Sequence, residues 1–147
     1  MTSIESPASA KGGIRVVLDA NVLISAAVAG LQAEYVLTLI SRGTLHGFTS
    51  IGILDEVHRK LTTKFHRTEH QYQEFERAVL KVVQTVDAAQ VTEPRLRDPG
   101  DLHVLGTAIA AKADLLITTD RDLLTLKRFK AIAIIHPKTL RWTFPSS

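Results

Sequence analysis

The sequence contains no cysteine among its 147 residues. This absence excludes structural disulfides, zinc–thiolate sites and cysteine nucleophiles, and it fits a reducing cytoplasm. The sequence also has no apolar stretch long enough to span a bilayer. Its first residues have neither the basic segment nor the apolar segment of a secretory signal. We therefore expect a cytoplasmic protein with no membrane partner.

Three motifs that mark common α/β binding sites are also missing. No G-x-G-x-x-G follows an apolar run, so nothing supports dinucleotide binding. No G-x-x-x-x-G-K-[ST] occurs, which excludes a P-loop, and no G-x-S-x-G provides a nucleophile elbow. Carboxylates are the groups that remain to carry chemistry.

The composition indicates one domain of ordinary size. A hydrophobic content of 45% is enough for one core, whereas two domains would each lack a comfortable one. Residues 1–13 are small and polar and end in two glycines, so we expect a disordered tail followed by a single domain over residues 14–147. The 18 basic residues barely exceed the 15 acidic ones, and the formal charge of +3 permits a polyanionic partner without requiring one.

Short apolar runs alternate along the chain with segments of helical periodicity. The apolar runs show no polar alternation, which indicates strands that are covered by helices on both faces. This order predicts an α/β fold with three layers, α/β/α, and a mostly parallel sheet of about five strands. Strands are expected at residues 14–18, 45–49, 85–87, 114–119 and 131–135, and helices at 21–29, 31–42, 51–63, 69–83, 99–112 and 121–127.

Four acidic residues occupy positions that this fold would bring together. Asp19 and Asp120 each follow an expected strand. Asp101 opens an alanine-rich helix, and Glu56 lies on the helix that begins after Ser50. Open α/β sheets bind ligands at the carboxyl ends of their strands. Clustered carboxylates resist ionisation unless a cation neutralises them, so these acids predict an all-oxygen site for Mg²⁺ or Mn²⁺.

Each of these acids also has a purely structural explanation. Asp19 and Asp120 could cap the helices that follow them. Asp101 could complete a capping box with Asp98, and Glu56 could be an ordinary solvent-facing helix residue. Basic residues within 59–67 and 127–130 follow two of the acids in sequence; an ordinary solvated surface explains any one of them, and phosphate contacts beside the site are the alternative.

Four segments of the chain resemble the signature segments of the PIN-domain ribonucleases. The first is Val-Leu-Asp-Ala-Asn-Val-Leu-Ile-Ser at residues 17–25, and the second is Ser-Ile-Gly-Ile-Leu-Asp-Glu-Val at residues 50–57. The third is Asp-Pro-Gly-Asp at residues 98–101. The fourth and most specific is Ala-Asp-Leu-Leu-Ile-Thr-Thr-Asp-Arg-Asp-Leu-Leu at residues 113–124. The similarity extends over about residues 14–140, and the branch that it resembles most is the toxin component of bacterial and archaeal toxin–antitoxin modules.

The resemblance implies a Rossmann-like sheet and a Mg²⁺- or Mn²⁺-dependent endoribonuclease that acts on single-stranded RNA. By position, it assigns catalytic roles to Asp19, Glu56, Asp101 and Asp120. It assigns metal binding to Asp19, Asp101, Asp120 and Asp122, with Asn21 in a supporting role. A toxin of this family is further expected to form a homodimer and to be blocked by a cognate antitoxin protein.

Two other functions are alternatives. A non-catalytic module that binds RNA or protein would keep the same fold, with the acids acting as helix caps, and would bind RNA without metal and without cleavage. A metal-dependent phosphatase is the weaker alternative. Its Asp-x-Asp-x-Thr nucleophile motif is absent at Asp19, because Asn21 and Leu23 occupy the second and third places.

Overall fold

The computed structural model describes residues 13–28 and 31–143, leaving aside the side chains of residues 31–33 and 141–143. The expected disordered tail lies outside the described residues apart from Gly13, and so does the expected end of the first helix at residues 29–30. The described helices are α1 (Ala20–Ala27), α2 (Leu31–Ser41), α3 (Ile51–Thr63), α4 (Glu69–Leu80), α5 (Pro99–Ala110), α6 (Arg121–Leu126) and α7 (Pro137–Thr143). The described strands are β1 (Ile14–Leu18), β2 (Leu45–Thr49), β3 (Val83–Thr85), β4 (Leu115–Ile117), β5 (Arg128–Phe129) and β6 (Ile132–Ile135).

The six strands form one sheet in the order β3-β2-β1-β4-β6-β5. Neighbouring strands are parallel except β5 and β6, which are antiparallel. The predicted three-layer α/β fold with a mostly parallel sheet is therefore confirmed. Two elements were not predicted, α7 and the two-residue strand β5, and a strand as short as β5 is too brief to produce a periodic pattern.

Strands β1 and β4 lie side by side at the centre of the sheet and form the middle of the core. Val16 and Val17 of β1 are completely buried, as are Leu116 and Ile117 of β4. Because consecutive side chains of a strand point to opposite faces, complete burial of both members of each pair requires cover on both faces. This explains why these strands appear in the sequence as unbroken apolar runs.

The predicted position of β3 is wrong by two residues. The helical pattern was expected to continue through residue 83, with a strand at residues 85–87, but α4 ends at Leu80 and β3 covers Val83–Thr85. Val83 pairs with Gly47 of β2 and is buried. A β-carbon at residue 47 would lie 3.2 Å from Val83 Cγ2, so the bare glycine lets Val83 pack closely against β2. Pairing with a distant strand thus overrides the local helical pattern.

Local capping signals fix where the helices begin. The side chain of Ser50 caps α3, and Thr68 and Gln71 form a capping box at the start of α4. Pro99 occupies the first turn of α5 directly after its cap, Asp98.

In the part of the chain that the structure describes, no helix is both long enough and apolar enough to cross a membrane.

The strand order places a crevice at the carboxyl ends of β1 and β4. After β1 the chain passes to β2 on one side, whereas β4 lies on the other side of β1, so the winding of the sheet reverses between β1 and β4. At such a switch point the connecting segments leave in opposite directions and open a crevice above the sheet. Asp19 directly follows β1 and Asp120 lies three residues after β4, so both reach this crevice.

Candidate metal centre

Asp19 is held rigidly at the end of β1. Its backbone N–H donates to Ile117 O at 2.9 Å, which continues the pairing of β1 with β4. One carboxylate oxygen accepts from Ala20 N at 2.7 Å, and the other accepts from Thr118 Oγ1 at 2.6 Å. Burial raises the pKa of Asp19; the two hydrogen bonds oppose that rise, and the charges of Glu56 and Asp120 add to it.

Thr118 joins the ends of the two central strands. Its hydroxyl donates to Asp19 Oδ2 and accepts from Asp120 N at 2.9 Å, and the residue is completely buried. The sequence interpretation did not single out this threonine. Its position between a buried strand and the acid at residue 120 could have marked it as a candidate. However, the sequence gives no sign that Thr118 contacts Asp19, which is 99 positions away in the chain.

Asp120 caps α6 and contributes to the acidic cluster at the same time. Its Oδ1 accepts from Asp122 N at 2.8 Å and from Leu123 N at 3.4 Å. The capping explanation for Asp120 is therefore correct, but it occupies one oxygen and leaves Oδ2 without such a bond. Asp19 likewise caps α1 through Oδ1, while its Oδ2 accepts from Thr118. Capping and a role in the site are compatible at both positions.

Asp101 lies in the first turn of α5, yet it does not serve as a capping residue. The cap is Asp98, whose Oδ1 accepts from Gly100 N at 2.8 Å. The expected capping box between Asp98 and Asp101 is wrong, because the buried carboxylate of Asp101 accepts no hydrogen bond from any described residue. Burial, followed by the charges of Asp120 and Asp98, raises the pKa of Asp101 to about 7.

Three carboxylates share one small space at the mouth of the crevice. One carboxylate oxygen from each of Asp101, Asp120 and Asp122 lies within 4.8 Å of the others. Asp122 is exposed, so the cluster opens to solvent on that side. The donor set consists of oxygen only, and the buried Asp101 carboxylate lacks a protein partner. Both features fit a hard divalent cation such as Mg²⁺ or Mn²⁺.

Glu56 lies next to this cluster and is paired with a lysine. Its Oε2 is 2.9 Å from Lys60 Nζ, and the same Nζ donates to Asn21 Oδ1 at 3.3 Å. A β-carbon at residue 100 would lie 3.6 Å from Glu56 Oε1, so this oxygen faces the start of α5. Lys60 thus links Glu56 to Asn21, and both residues lie beside the carboxylate cluster. The sequence interpretation placed Lys60 in a basic group beside the site but did not pair it with Glu56, although the spacing of four residues was a usable signal.

Two other acidic residues lie away from the site. Asp55 is exposed on α3, about 100° around the helix from Glu56. Asp114 precedes β4 at the opposite edge of the sheet, where its carboxylate accepts from Arg15 N at 2.9 Å. Asp55 therefore offers a matched control for substitutions of site acids.

The two basic groups differ in their distance from the carboxylates. The group within residues 59–67 reaches the site through Lys60. In the other group, Arg128 pairs with Ala133 near the start of β6, and β6 runs parallel to β4, whose carboxyl end bears the site. Residues 127–130 therefore lie toward the opposite end of the strands from the site, which favours the solvated-surface explanation over phosphate contacts for this group.

Substitution of Thr118 by valine is expected to destabilise the protein by about 1–3 kcal/mol, because two buried polar groups lose their partner. The loss should grow as the pH rises, since the hydroxyl of Thr118 favours the charged form of Asp19. Urea unfolding across a range of pH values measures both effects. Thr125→Val is the control, because Thr125 is an exposed helix residue. Equal losses in the two variants would contradict the bridging role of Thr118.

Comparisons with known proteins agree with the fold. A family model described as "PIN domain" matches residues 15–122. Eight solved chains are similar in structure, among them the crystal structure of VapBC2 from Rickettsia felis bound to a DNA fragment from their promoter. That match has a TM-score of 0.62 and 18% sequence identity, and it covers 84% of this chain and 98% of the other. No curated protein sequence matches this chain. Because the family model spans well over half of its residues, the chain belongs to the PIN-domain family.

Proposed function

We propose that this protein is a divalent-metal-dependent endoribonuclease that acts as the toxin of a toxin–antitoxin module. The observation that carries the proposal is Asp101, a largely buried residue whose carboxylate accepts no hydrogen bond from any described residue. Carboxylate oxygens of Asp120 and Asp122 lie within 4.8 Å of it. A buried cluster of like charges is unfavourable unless a cation neutralises it. Membership of the PIN-domain family supports the assignment to the nucleases.

Asp101, Asp120 and Asp122 are the residues proposed to hold the ion, each through one carboxylate oxygen. Asp19 has hydrogen bonds to both of its oxygens, so in this proposal it acts on the ion through water. When bound, a Mg²⁺ or Mn²⁺ ion lowers the pKa of a coordinated water molecule and stabilises charge on a phosphate.

Glu56 is proposed to orient the attacking water. Lys60 occupies Oε2 of Glu56 and leaves Oε1, which faces the start of α5, to accept a proton from the water. The water oxygen forms a bond to phosphorus while the bond between phosphorus and O3′ breaks, and O3′ takes up a proton from solvent. The products are a 5′-phosphate and a 3′-hydroxyl. Asn21 supports this arrangement by accepting from Lys60 Nζ.

Single-stranded RNA is the proposed substrate, and a cognate antitoxin is the proposed protein partner. The crevice is open at Asp122, which lets a flexible strand approach the carboxylates from solvent. Lys60 provides positive charge beside the site, and the net charge of +3 favours a polyanion. The fold match to VapBC2 supports a role in a toxin–antitoxin pair. We further propose that the protein forms a homodimer and is located in the cytoplasm.

The proposal is tested by cleavage of a mixed-sequence single-stranded RNA with Mn²⁺, with Mg²⁺ and with EDTA. Asp120→Asn is the informative variant, because asparagine caps helices as well as aspartate does, so the substitution removes the charge and keeps the cap of α6. We expect metal-dependent cleavage by the natural protein and a loss of at least about a hundredfold in the variant, given the several kcal/mol that a catalytic ion supplies. Asp55→Asn should cleave at the rate of the natural protein.

A non-catalytic binding module predicts the opposite results in the same experiment. It would bind RNA equally well with EDTA and with Mn²⁺, and it would cleave under neither condition. Cleavage that survives Asp120→Asn would contradict the assigned site even if the protein proved to be a nuclease. Calorimetric titration with Mn²⁺ then separates an intact metal site from a merely acidic surface.

A further inference from the structure

A cavity of about 410 Å³ lies at the start of α5, on the helix face that bears Pro99 and His103. Its walls are the start of α3, the segment after β3 and the start of α5, and its lining includes Ser50, Asp87, Gln90, Pro99 and His103. Pro99 is two residues before Asp101 in the first turn of α5, so the cavity and the carboxylate cluster share this turn. Its volume falls within the range of small-molecule sites in proteins.

The segment after β3 is fixed to the rest of the fold at two points. Val86 N donates to Thr49 O at 2.8 Å, and Ala89 N donates to Gly106 O at 2.9 Å. A β-carbon at Gly106 would overlap Ala89 O, so glycine is required for this close approach to α5. The two anchors hold the wall of the cavity in place, and the exposed side chain of Asp87 lies between them.

The ring of His103 forms a fixed aromatic wall of the cavity. Its Nε2 lies 3.0 Å from Ser50 Oγ, and Ser50 Oγ lies 2.8 Å from Thr107 Oγ1. The ring also packs against Gly52, where a β-carbon would overlap it. Ile51 is 65% exposed next to this wall and extends its apolar surface toward solvent. A held ring beside exposed apolar surface is suited to stacking against a nucleobase.

We propose that this cavity binds one unstacked nucleobase of the RNA strand next to the scissile phosphate, and that it prefers guanine. This inference rests on the proposed function. The base would stack on His103 and present its polar edge to Asp87. A carboxylate only accepts hydrogen bonds, and guanine presents two adjacent donors, N1–H and the N2 amino group, to its two oxygens. Adenine and cytosine present one amino group beside a ring nitrogen that only accepts, and uracil presents one N3–H between two carbonyl oxygens, so none of the three offers two adjacent donors.

The test measures binding of fluorescein-labelled hexauridylate and of three versions that contain a single guanine, adenine or cytosine. Fluorescence anisotropy is recorded with Ca²⁺ in place of Mg²⁺, since Ca²⁺ also takes oxygen ligands. We expect the guanine oligonucleotide to bind about tenfold more tightly than hexauridylate, which is typical of one bidentate base contact. Asp87→Asn should remove this difference, whereas Asp55→Asn should retain it.

A second variant tests the stacking wall separately. His103→Ala should weaken binding of the guanine oligonucleotide about tenfold, as expected for the loss of one stacked base, at a temperature at which circular dichroism shows the variant to be folded. Equal affinity of the natural protein for all four oligonucleotides, or a guanine preference that survives Asp87→Asn, would overturn the inference. Cleavage of the same oligonucleotides with Mn²⁺ reports on the proposed function independently. A guanine preference without cleavage would contradict the nuclease assignment but not the base-binding site. Cleavage without a base preference would contradict the base-binding site but not the nuclease assignment.

Discussion

Asp101→Asn is expected to lower RNA cleavage by at least about a hundredfold and, in the absence of metal, to make the folded protein more stable near pH 8. The two effects have one cause. The carboxylate of Asp101 is buried among other acids without a hydrogen-bond donor, which suits a cation and is unfavourable without one. Asparagine has nearly the same shape and carries no charge, so it removes the repulsion together with the metal ligand.

The expected dependence on pH follows from the raised pKa of Asp101. The folded protein binds this proton up to a pH of about 7, whereas the unfolded chain releases it near the ordinary value of 3.8. Stability of the metal-free natural protein should therefore fall as the pH rises from about 4 to about 8, by an amount on the order of 2–4 kcal/mol from this group. The variant should lack that part of the decline and unfold about 5–10 °C higher near pH 8.

Thermal unfolding of the two proteins in EDTA, over a series of pH values, measures this difference. Asp55→Asn is the control, because it also removes one acid but from an exposed position on α3. It should follow the natural protein at every pH. A stability curve for Asp101→Asn that runs parallel to that of the natural protein would show that Asp101 ionises normally, and would remove the main support for a cation site.

Divalent metal is expected to stabilise the natural protein strongly near pH 8 and only weakly near pH 5.5. At a concentration of Mn²⁺ about one hundred times the dissociation constant, binding contributes about 2.7 kcal/mol, or roughly 5–10 °C in unfolding temperature for a domain of this size. Protons compete with the metal for Asp101 below its pKa of about 7. Near pH 5.5 the apparent affinity should fall about thirtyfold, and the shift should shrink to roughly 2 °C.

Scanning calorimetry with and without Mn²⁺ at both pH values tests this expectation. Asp101→Asn and Asp120→Asn should show little shift at either pH, because each removes one of the three clustered carboxylates. Asp55→Asn should show the full shift. An equal shift in all four proteins would assign the metal effect to general binding of cations by the acidic surface and would contradict a built site.

The sequence predicted most of the fold because its signals are local. Burial on both faces leaves unbroken apolar runs such as Ile14–Leu18, and helix caps such as Ser50 and Asp98 mark where helices begin. Between residues 14 and 135, element boundaries were predicted to within two residues, except around β3 and β5. The position of β3 depends on pairing with the distant Gly47, whereas β5 pairs with the adjacent Ile132 and has only two residues, too few to leave a periodic pattern.

The site was only partly accessible from the sequence. The sequence identified the acids that end strands or begin helices, because those positions are set by the order of elements along the chain. It did not identify Thr118, and it named Lys60 only as one of a basic group, without the partners that give it its importance. Asp19 and Thr118 are 99 residues apart and meet because β1 and β4 are neighbours in the sheet.

The sequence by itself determined the fold class and the acids that could form a site, since the periodicity of apolar residues and the position of polar ones along the chain are written directly in it. The tertiary structure alone decided which carboxylates share one space. It showed that Asp101 is buried without a donor and that Asp122 completes the cluster with Asp120, while both oxygens of Asp19 have protein partners. Distances between side chains on different strands depend on strand order and packing, and neither quantity has a local signature in the chain.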